Sequence, residues 1–167
     1  AAKLGLEREF YQHTDVHFPD FVRKDGPSAG VTMATSIASS LTRIPVRTCV
    51  AMTGEITLRG RVMPIGGLKE KLIAAHRNGV EVVVIPKENR KDLREVPRRV
   101  LRAMRIVLVD HMDDVLREAL VLEDPDALFG PRGPVVEYRN GELIEGEQER
   151  ASVAPPVPEV PGEQPSA

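Results

Sequence analysis

The chain has 167 residues and a mass of 18.4 kDa, with 23 basic and 25 acidic side chains. That length fits one domain, or one domain with a tail, and is sufficient to bury a core. The single cysteine, Cys49, excludes an internal disulfide framework and a zinc site built from cysteines. No run of about 18 apolar residues occurs, so no transmembrane helix is predicted.

The formal charge of −2 is unevenly distributed along the chain. Residues 123–167 carry ten acids and three bases, a net charge of −7, so residues 1–122 carry +5. Eight of the fourteen prolines also follow position 122. We therefore predict a folded domain over 1–122, an extension over 123–145, and a disordered, acidic, proline-rich tail over 146–167. The start has neither Met nor a signal-peptide pattern, so we expect the chain to be a piece of a longer protein.

Helices and strands alternate in the predicted order of elements. An irregular start over 1–27 ends in a polar loop, and Pro27 suits the first position of the helix that follows. Gly79 and His111 mark the end of one helix and the start of another. The predicted helices are 28–43, 68–78, 88–104 with a break at Pro97, and 111–122; the predicted strands are 46–53, 56–62, 80–85 and 105–110. This alternation indicates an α/β fold with a mixed sheet and packed helices.

A hairpin is predicted within the extension. Residues 135–138 and 142–144 have strand-forming composition, and they flank the dipeptide Asn140-Gly141, which favours a tight turn. A lone hairpin is marginally stable, so this one requires a surface on which to dock.

Ser28 is the first candidate for chemistry. It follows the Gly26-Pro27 turn and opens a predicted helix, so its hydroxyl lies at a helix N-terminus, where unpaired N–H groups can stabilise an oxyanion. Gly26 and Gly30 would let a substrate backbone approach closely. The alternative interpretation is that Ser28 is a helix cap, because serine is a preferred capping residue.

A nucleophilic serine needs a base, and the sequence offers histidines or a lysine. None of the four histidines, which are His13, His17, His76 and His111, is obviously placed to serve Ser28. Lys71 is expected to be partly buried, because it flanks the apolar stripe that Leu68 and Leu72 form on a helix. Burial disfavours the ammonium form of a lysine, and a neutral lysine beside a serine hydroxyl is a competent general base. The alternative is that Lys71 lays its stem on the edge of the core and keeps its charge in water.

Three long motifs follow one another along the chain. The segment from Lys24 to Gly30, KDGPSAG, resembles the catalytic serine motif in the proteolytic domain of Lon proteases. The segments AMTGEITLRG over 51–60 and VMPIGGLKEK over 62–71 resemble its lysine motif. The resemblance runs from about His17 to Leu122 and implies the Lon proteolytic-domain fold, with further strands before Ala1.

The resemblance implies a Ser–Lys dyad in a serine endopeptidase. Ser28 would be the nucleophile, Lys71 the general base, and Thr53 the residue that hydrogen-bonds and orients the lysine. The substrate and oxyanion loop would comprise Asp25, Gly26, Pro27, Ala29, Gly54 and Glu55.

The resemblance also implies the setting of the intact protein. It would be a homohexameric, ATP-dependent protease of the cytoplasm that degrades unfolded, misfolded or regulatory proteins for quality control. ATP and Mg²⁺ would bind an upstream module, since no G-x-x-x-x-G-K-[ST] loop occurs here. For this chain itself we predict no cofactor, no metal site and no membrane partner.

Two other functions stay open at this stage. The first is a catalytically inactive remnant that keeps the fold for oligomerisation. The second is a nucleic-acid or polyphosphate module that uses the basic stretch from Lys87 to Arg105. A solvated helix face or a subunit contact is the simpler interpretation of that stretch, because it has no interleaved aromatic residues for base stacking.

Overall fold

A five-stranded mixed sheet organises the part of the chain that the computed structural model describes, which is residues 4, 5, 9, 15, 17 and 26–146. The helices are α1 (Gly30–Thr42), α2 (Leu68–Arg77), α3 (Arg98–Ala103), α4 (Met112–Ala119) and α5 (Pro125–Phe129). The strands are β1 (Val50–Met52), β2 (Glu55–Ile56), β3 (Val62–Met63), β4 (Val82–Pro86), β5 (Arg105–Val109), β6 (Val135–Arg139) and β7 (Glu142–Gly146). Predictions for the opening segment, for Asp25 and for the tail beyond residue 146 concern residues outside this description.

The sheet has the order β1-β4-β5-β6-β7 and changes direction in its middle. β1, β4 and β5 are parallel, whereas β6 and β7 are antiparallel to their neighbours. The α/β fold with a mixed sheet, predicted from the sequence, is confirmed. None of the helices in the described ranges is long and apolar enough to span a bilayer.

The core occupies both faces of the sheet. Alternate residues of β4 and β5 point to opposite faces, so that Val83 and Ile85 join one apolar cluster and Val84 joins the other. The first cluster packs under α2 and α3, and the second under α1 and α4. Burial on both faces explains why these strands are unbroken apolar runs in the sequence.

The predicted strand over 56–62 is wrong, because the chain turns back within it. β2 and β3 form a separate antiparallel hairpin joined by a turn over 57–61. Gly60 has a φ of +81°, and the Thr57 side chain accepts a hydrogen bond from the Arg61 N–H. Leu58, whose apolar side chain favoured a continuous strand, is fully exposed at the tip of this turn.

Other element predictions differ from the structure mainly at the boundaries. The predicted strand over 46–53 is reduced to β1, because residues 48–49 form a turn and Val46 makes only an isolated bridge to Leu120. The basic stretch begins as a 3-10 helix, Lys87–Glu95, and continues as α3 after Pro97. Gly79 follows α2 with a φ of +70°, and the His111 side chain caps α4, as predicted.

The C-terminal hairpin extends the main sheet. β6 pairs with β5 in antiparallel register, and β7 forms the outer edge. The turn residues Asn140 and Gly141 have φ angles of +56° and +82°, which suit a tight hairpin turn. The predicted hairpin is confirmed, and the edge of β5 is the surface on which it docks.

Buried ion pairs hold this hairpin to the rest of the fold. The Arg105 guanidinium donates to Glu118 at 2.7 Å and to Glu137 of β6 at 2.6 Å, and Arg132 also donates to Glu118. Burial alone would raise the pKa of Glu118, but the hydrogen bonds and positive charges of Arg105 and Arg132 outweigh it and lower that pKa. Burial likewise works to lower the pKa of Arg105, and its two carboxylate partners reverse that effect.

Candidate active site

Ser28 lies in a single 3-10 turn, Pro27–Ala29, directly before α1. Gly26 precedes this turn with a φ of +81°, a conformation that favours glycine, and Pro27 occupies the first helical position as predicted. The GP dipeptide therefore sets the direction in which the chain enters α1. As a result Ser28 is half-buried at the N-terminal end of the helix, with its side chain facing a cleft.

The backbone of Ser28 is fixed by the segment that follows β1. Its carbonyl oxygen accepts a hydrogen bond from the Gly54 N–H at 2.9 Å and another from the Thr53 hydroxyl at 3.1 Å. Thr53 is buried, and its own N–H donates to the Val84 carbonyl of β4 at 3.1 Å. Thr53 and Gly54 thus connect the Ser28 backbone to the end of β1 and, through Thr53, to β4.

Glycines allow α1 to approach the hairpin and the end of β1 closely. A Cβ atom on Gly54 would lie 2.8 Å from Val62 Cγ1 and 3.0 Å from Val31 Cγ1. A Cβ atom on Gly30 would lie 3.0 Å from Ile56 Cγ2. Larger residues at either position would push the helix away from the strand, so these glycines set the position of the Ser28 turn.

Lys71 reaches Ser28 from the other side of the cleft. Its Nζ donates a hydrogen bond to Ser28 Oγ at 3.2 Å, across 43 positions of sequence. Leu68 and Leu72 bury one face of α2 in the core, and this fixes the face on which Lys71 lies. The prediction that Lys71 is partly buried is wrong. The residue is exposed, because its side chain crosses a cleft that is open to solvent.

The cleft between these elements has a volume of about 440 Å³. Apart from Lys71, which crosses it, its walls are formed by small and apolar residues and by the polar side chains of Thr32, Thr53 and Asn78. The lining residues are Ser28, Ala29, Thr32, Ala51, Met52, Thr53, Lys71, Ala74, Ala75, Asn78, Val80 and Val83. An open cleft with one serine–lysine contact and an apolar floor has room for a peptide segment beside Ser28.

Comparison with known proteins identifies the family of this chain. Residues 1–122 match the family described as the Lon protease (S16) C-terminal proteolytic domain. The chain belongs to the Lon proteolytic-domain family. This membership supports a peptidase function for it.

Curated Lon proteases are similar over most of this chain. Identity is 71% over 144 residues with Lon protease 3 of Sorangium cellulosum (strain So ce56), covering 85% of this chain and 17% of that protein. It is 58% over 132 residues with Lon protease 1 of Syntrophobacter fumaroxidans, and 57% over 129 residues with Lon protease 1 of Myxococcus xanthus. These two matches cover 77% and 75% of this chain and 16% of each relative. The chain therefore spans about a sixth of the length of the curated relatives it matches.

The residues of the predicted Lon substrate and oxyanion loop lie in different places. Gly26 and Pro27 are exposed just before Ser28, and Ala29 lines the cleft. Gly54 does not offer its N–H to a substrate, because that group is bonded to the Ser28 carbonyl. Glu55 pairs with Met63 in the β2–β3 hairpin and is not among the residues that line the cleft. Asp25 lies outside the described residues.

Thr53 has a different partner from the one that the Lon resemblance implied. Its hydroxyl donates to the Ser28 carbonyl and is not bonded to Lys71. The hydroxyl is held there because Thr53 is buried at the end of β1, next to the turn that carries Ser28. Any positioning by Thr53 in this structure therefore acts on the serine side of the pair.

Sequence reasoning missed Thr32. It lines the cleft, and its hydroxyl donates to the Met52 carbonyl of β1 at 3.2 Å. The signal was available, because Thr32 lies four positions after Ser28 and so shares its face of the helix.

No histidine lines the cleft in the part of the chain that the structure describes. His111 Nδ1 accepts the Asp113 N–H at 3.2 Å, and its Nε2 lies 3.2 Å from the Arg59 carbonyl, so both ring nitrogens are engaged at the start of α4. His17 is exposed, and His13 falls outside the description. Across the described ranges, no group of three or more His, Cys, Asp or Glu residues lies where it could hold a metal ion.

Proposed function

We propose that this chain is the proteolytic part of a Lon-type serine endopeptidase, with Ser28 as nucleophile and Lys71 as general base. The observation that carries the proposal is the 3.2 Å contact between Lys71 Nζ and Ser28 Oγ in an open cleft. A nucleophile and a base within hydrogen-bond reach are the minimum for activating a serine hydroxyl. Among the described residues that line the cleft no other base occurs, since the remaining polar side chains are hydroxyls and an amide.

Covalent catalysis is the chemistry that we propose for this pair. In its deprotonated form, Lys71 accepts the Ser28 hydroxyl proton as Oγ attacks the carbonyl carbon of the scissile peptide bond. Lys71 then returns that proton to the leaving amine, and an acyl-enzyme ester remains on Ser28. Lys71 next takes a proton from a water molecule as the water oxygen attacks the ester carbon. The bond from that carbon to Oγ breaks, Lys71 returns the proton to Oγ, and the new carboxyl terminus leaves.

Stabilisation of the oxyanion is assigned to N–H groups of the turn before α1. The N–H groups of Gly30 and Val31 are already bonded, to the carbonyls of Pro27 and Gly54. This leaves Ser28 and Ala29, at the positive end of the helix, as the proposed donors.

The proposed substrates are unfolded, misfolded or regulatory polypeptides. An open cleft with a shallow apolar floor suits an extended chain better than a folded surface. The proposal for the intact protein includes a homohexameric ring in the cytoplasm and unfolding driven by ATP, with ATP and Mg²⁺ held by residues outside this chain.

Hydrolysis of a fluorogenic peptide by the intact protein tests the proposal. Ser28→Ala and Lys71→Ala should each lower kcat by at least about 100-fold, the range that removal of an acid–base catalyst produces. Ser36→Ala on the exposed side of α1 and Lys69→Ala on α2 are matched controls and should retain the parent rate. Absence of peptidase activity in the parent would instead favour the inactive, oligomerising alternative. Full activity in either Ser28→Ala or Lys71→Ala would refute the assignment of that residue to catalysis.

A further inference from the structure

Five exposed cations form a surface on the 3-10 helix and α3, which we name the basic helical surface. They are Lys91, Arg94, Arg98, Arg99 and Arg102. Within the described ranges none of the five makes a hydrogen bond or an ion pair, whereas the neighbouring Lys87 and Arg90 pair with Asp110 and Glu145. Glu88 and Glu95 are exposed on the same 3-10 helix and offset part of this charge, and the remaining excess of positive charge attracts an anionic partner.

The outer strand of the sheet runs beside this surface. Arg90 Nη1 lies 2.5 Å from Glu145 Oε1 near the end of β7. At the other end, Arg102 Cγ lies 2.9 Å from the position that a Cβ atom on Gly141 would occupy. Both helical segments therefore border the C-terminal hairpin, and the described residues end at 146, one position after Glu145, the partner of Arg90.

Charge and length identify a partner within the same chain. Residues 147–167 carry four glutamates, Glu147, Glu149, Glu159 and Glu163, and one base, Arg150. They begin two positions after Glu145, which contacts Arg90 in the 3-10 helix that carries Lys91 and Arg94. Their net charge of −3 opposes the +5 of the five cations.

The segment 147–167 is also long enough to extend along the basic helical surface. For a random coil of 21 residues, the length of 147–167, the expected end-to-end distance is about 25 Å. The helical rise from Lys91 to Arg102 adds up to about 20 Å. Because the segment is tethered at one end of the surface, its effective concentration there is on the order of millimolar.

We propose that the acidic segment 147–167 docks on the basic helical surface of its own chain. The contact is electrostatic and weakens with salt, because the cations are exposed. It would shield these arginines from other anions. This docking is independent of the Ser28–Lys71 chemistry, so either proposal can fail without the other.

Paramagnetic NMR on the full 167-residue chain tests the docking. Cys49→Ser removes the only cysteine, and Ser166→Cys then accepts a nitroxide label. We expect the amide signals of the basic helical surface to lose at least about twofold more intensity than those of α1, because tethering concentrates the label there. The difference should disappear in about 0.5 M NaCl, where the Debye length is a few ångströms.

Matched variants separate docking from general charge effects. Arg94→Gln/Arg98→Gln/Arg99→Gln should abolish the difference, whereas Arg43→Gln/Arg59→Gln/Arg61→Gln, which removes the same charge elsewhere, should retain it. As a label-free check, a chain ending at residue 146 should show amide shift changes at the five surface positions.

Three results would overturn the proposal. The first is equal broadening of the basic helical surface and α1. The second is broadening that persists in the Arg94/Arg98/Arg99 variant. The third is an oligonucleotide that binds the surface equally tightly with and without residues 147–167, which would mean that the segment does not occupy it.

Discussion

Ser28 and Lys71 are held in position by different means. Ser28 is fixed through its backbone, since its carbonyl accepts two hydrogen bonds from Thr53 and Gly54. Lys71 is fixed through its backbone in α2, and the exposed side chain that carries Nζ to Ser28 has four rotatable bonds. The nucleophile is therefore preorganised, whereas the lysine can adjust as it takes and returns a proton.

Thr53→Val tests whether this preorganisation of the serine matters. The variant keeps the shape but removes one hydrogen bond to the Ser28 carbonyl, at a cost of about 1 kcal/mol. If that cost falls on the transition state, kcat for peptide hydrolysis decreases about fivefold with KM unchanged. Thr53→Ser retains the hydroxyl and should restore kcat; a normal kcat in Thr53→Val would show that Thr53 does not position Ser28.

For individual residues, the sequence predicts the Ser28–Lys71 pair but not the contacts that hold these two residues in place. Ser28 and Lys71 were identified because each belongs to a long ordered motif and a clear helical pattern. The bond from Thr53 to the Ser28 carbonyl spans 25 positions and depends on how the end of β1 packs against a turn. Local patterns carry no information on such a contact, and the same holds for the exposure of Lys71.

Between elements, Gly54 is the closest point of contact. It lies between α1 and the β2–β3 hairpin, with Val31 on one side and Val62 on the other. The Val31 N–H donates to the Gly54 carbonyl at 3.1 Å, which joins the first turn of α1 to the end of β1. The position of the Ser28 turn relative to the sheet is thus set by a residue without a side chain.

Gly54→Ala should destabilise the fold and reduce activity. The added methyl would lie 2.8 Å from Val62 Cγ1, and such overpacking typically costs about 1–3 kcal/mol. We expect a lower urea midpoint for unfolding and a lower kcat. Gly66→Ala is the matched control, because no atom lies within 4 Å of its added methyl; equal effects of the two substitutions would contradict this packing argument.

The limits of element prediction have a physical cause as well. Buried strands such as β4 and β5 were found because burial on both faces leaves an unbroken apolar run. The β2–β3 hairpin was missed, since its turn is set by the positive φ of Gly60 and by clamping against residues 110–112. The C-terminal hairpin was found from Asn140-Gly141, but its pairing partner could not be, because strand order is a tertiary property.

For the whole molecule, the main feature is how the extension joins the domain. The family match ends at residue 122, yet the sheet continues through β6 and β7. Arg105 connects the two parts by bonding both Glu118 of α4 and Glu137 of β6. Residues 123–146 are therefore part of the folded unit, beyond the boundary that composition indicated.

Acid unfolding reports on this connection. The pKa of Glu118 in the folded protein is lowered below its usual 4.5, so its contribution to the free energy of unfolding is fully present above pH 4.5. That contribution is lost as the pH falls through the lowered value. Glu118→Gln should cost about 3 kcal/mol near neutral pH, because it removes one partner of a buried pair.

Urea unfolding of parent and variant at about pH 7, 5 and 4, which spans the range where carboxyl groups titrate, checks the sign of this effect. The gap between parent and Glu118→Gln should be largest at neutral pH and shrink below about pH 4.5. Glu123→Gln, an exposed acid near the same helix, should leave unfolding unchanged. A gap that is independent of pH would contradict the role assigned to the Glu118 charge.

The central claim is that Lys71 activates Ser28. A serine-directed fluorophosphonate, applied to the intact protein and followed by peptide mass spectrometry, measures both the modified residue and its rate of modification. We expect an adduct on Ser28, formed at least about 100-fold more slowly in Lys71→Ala and at the parent rate in Lys69→Ala. An adduct on another serine, or modification of Ser28 at the parent rate in Lys71→Ala, would contradict it.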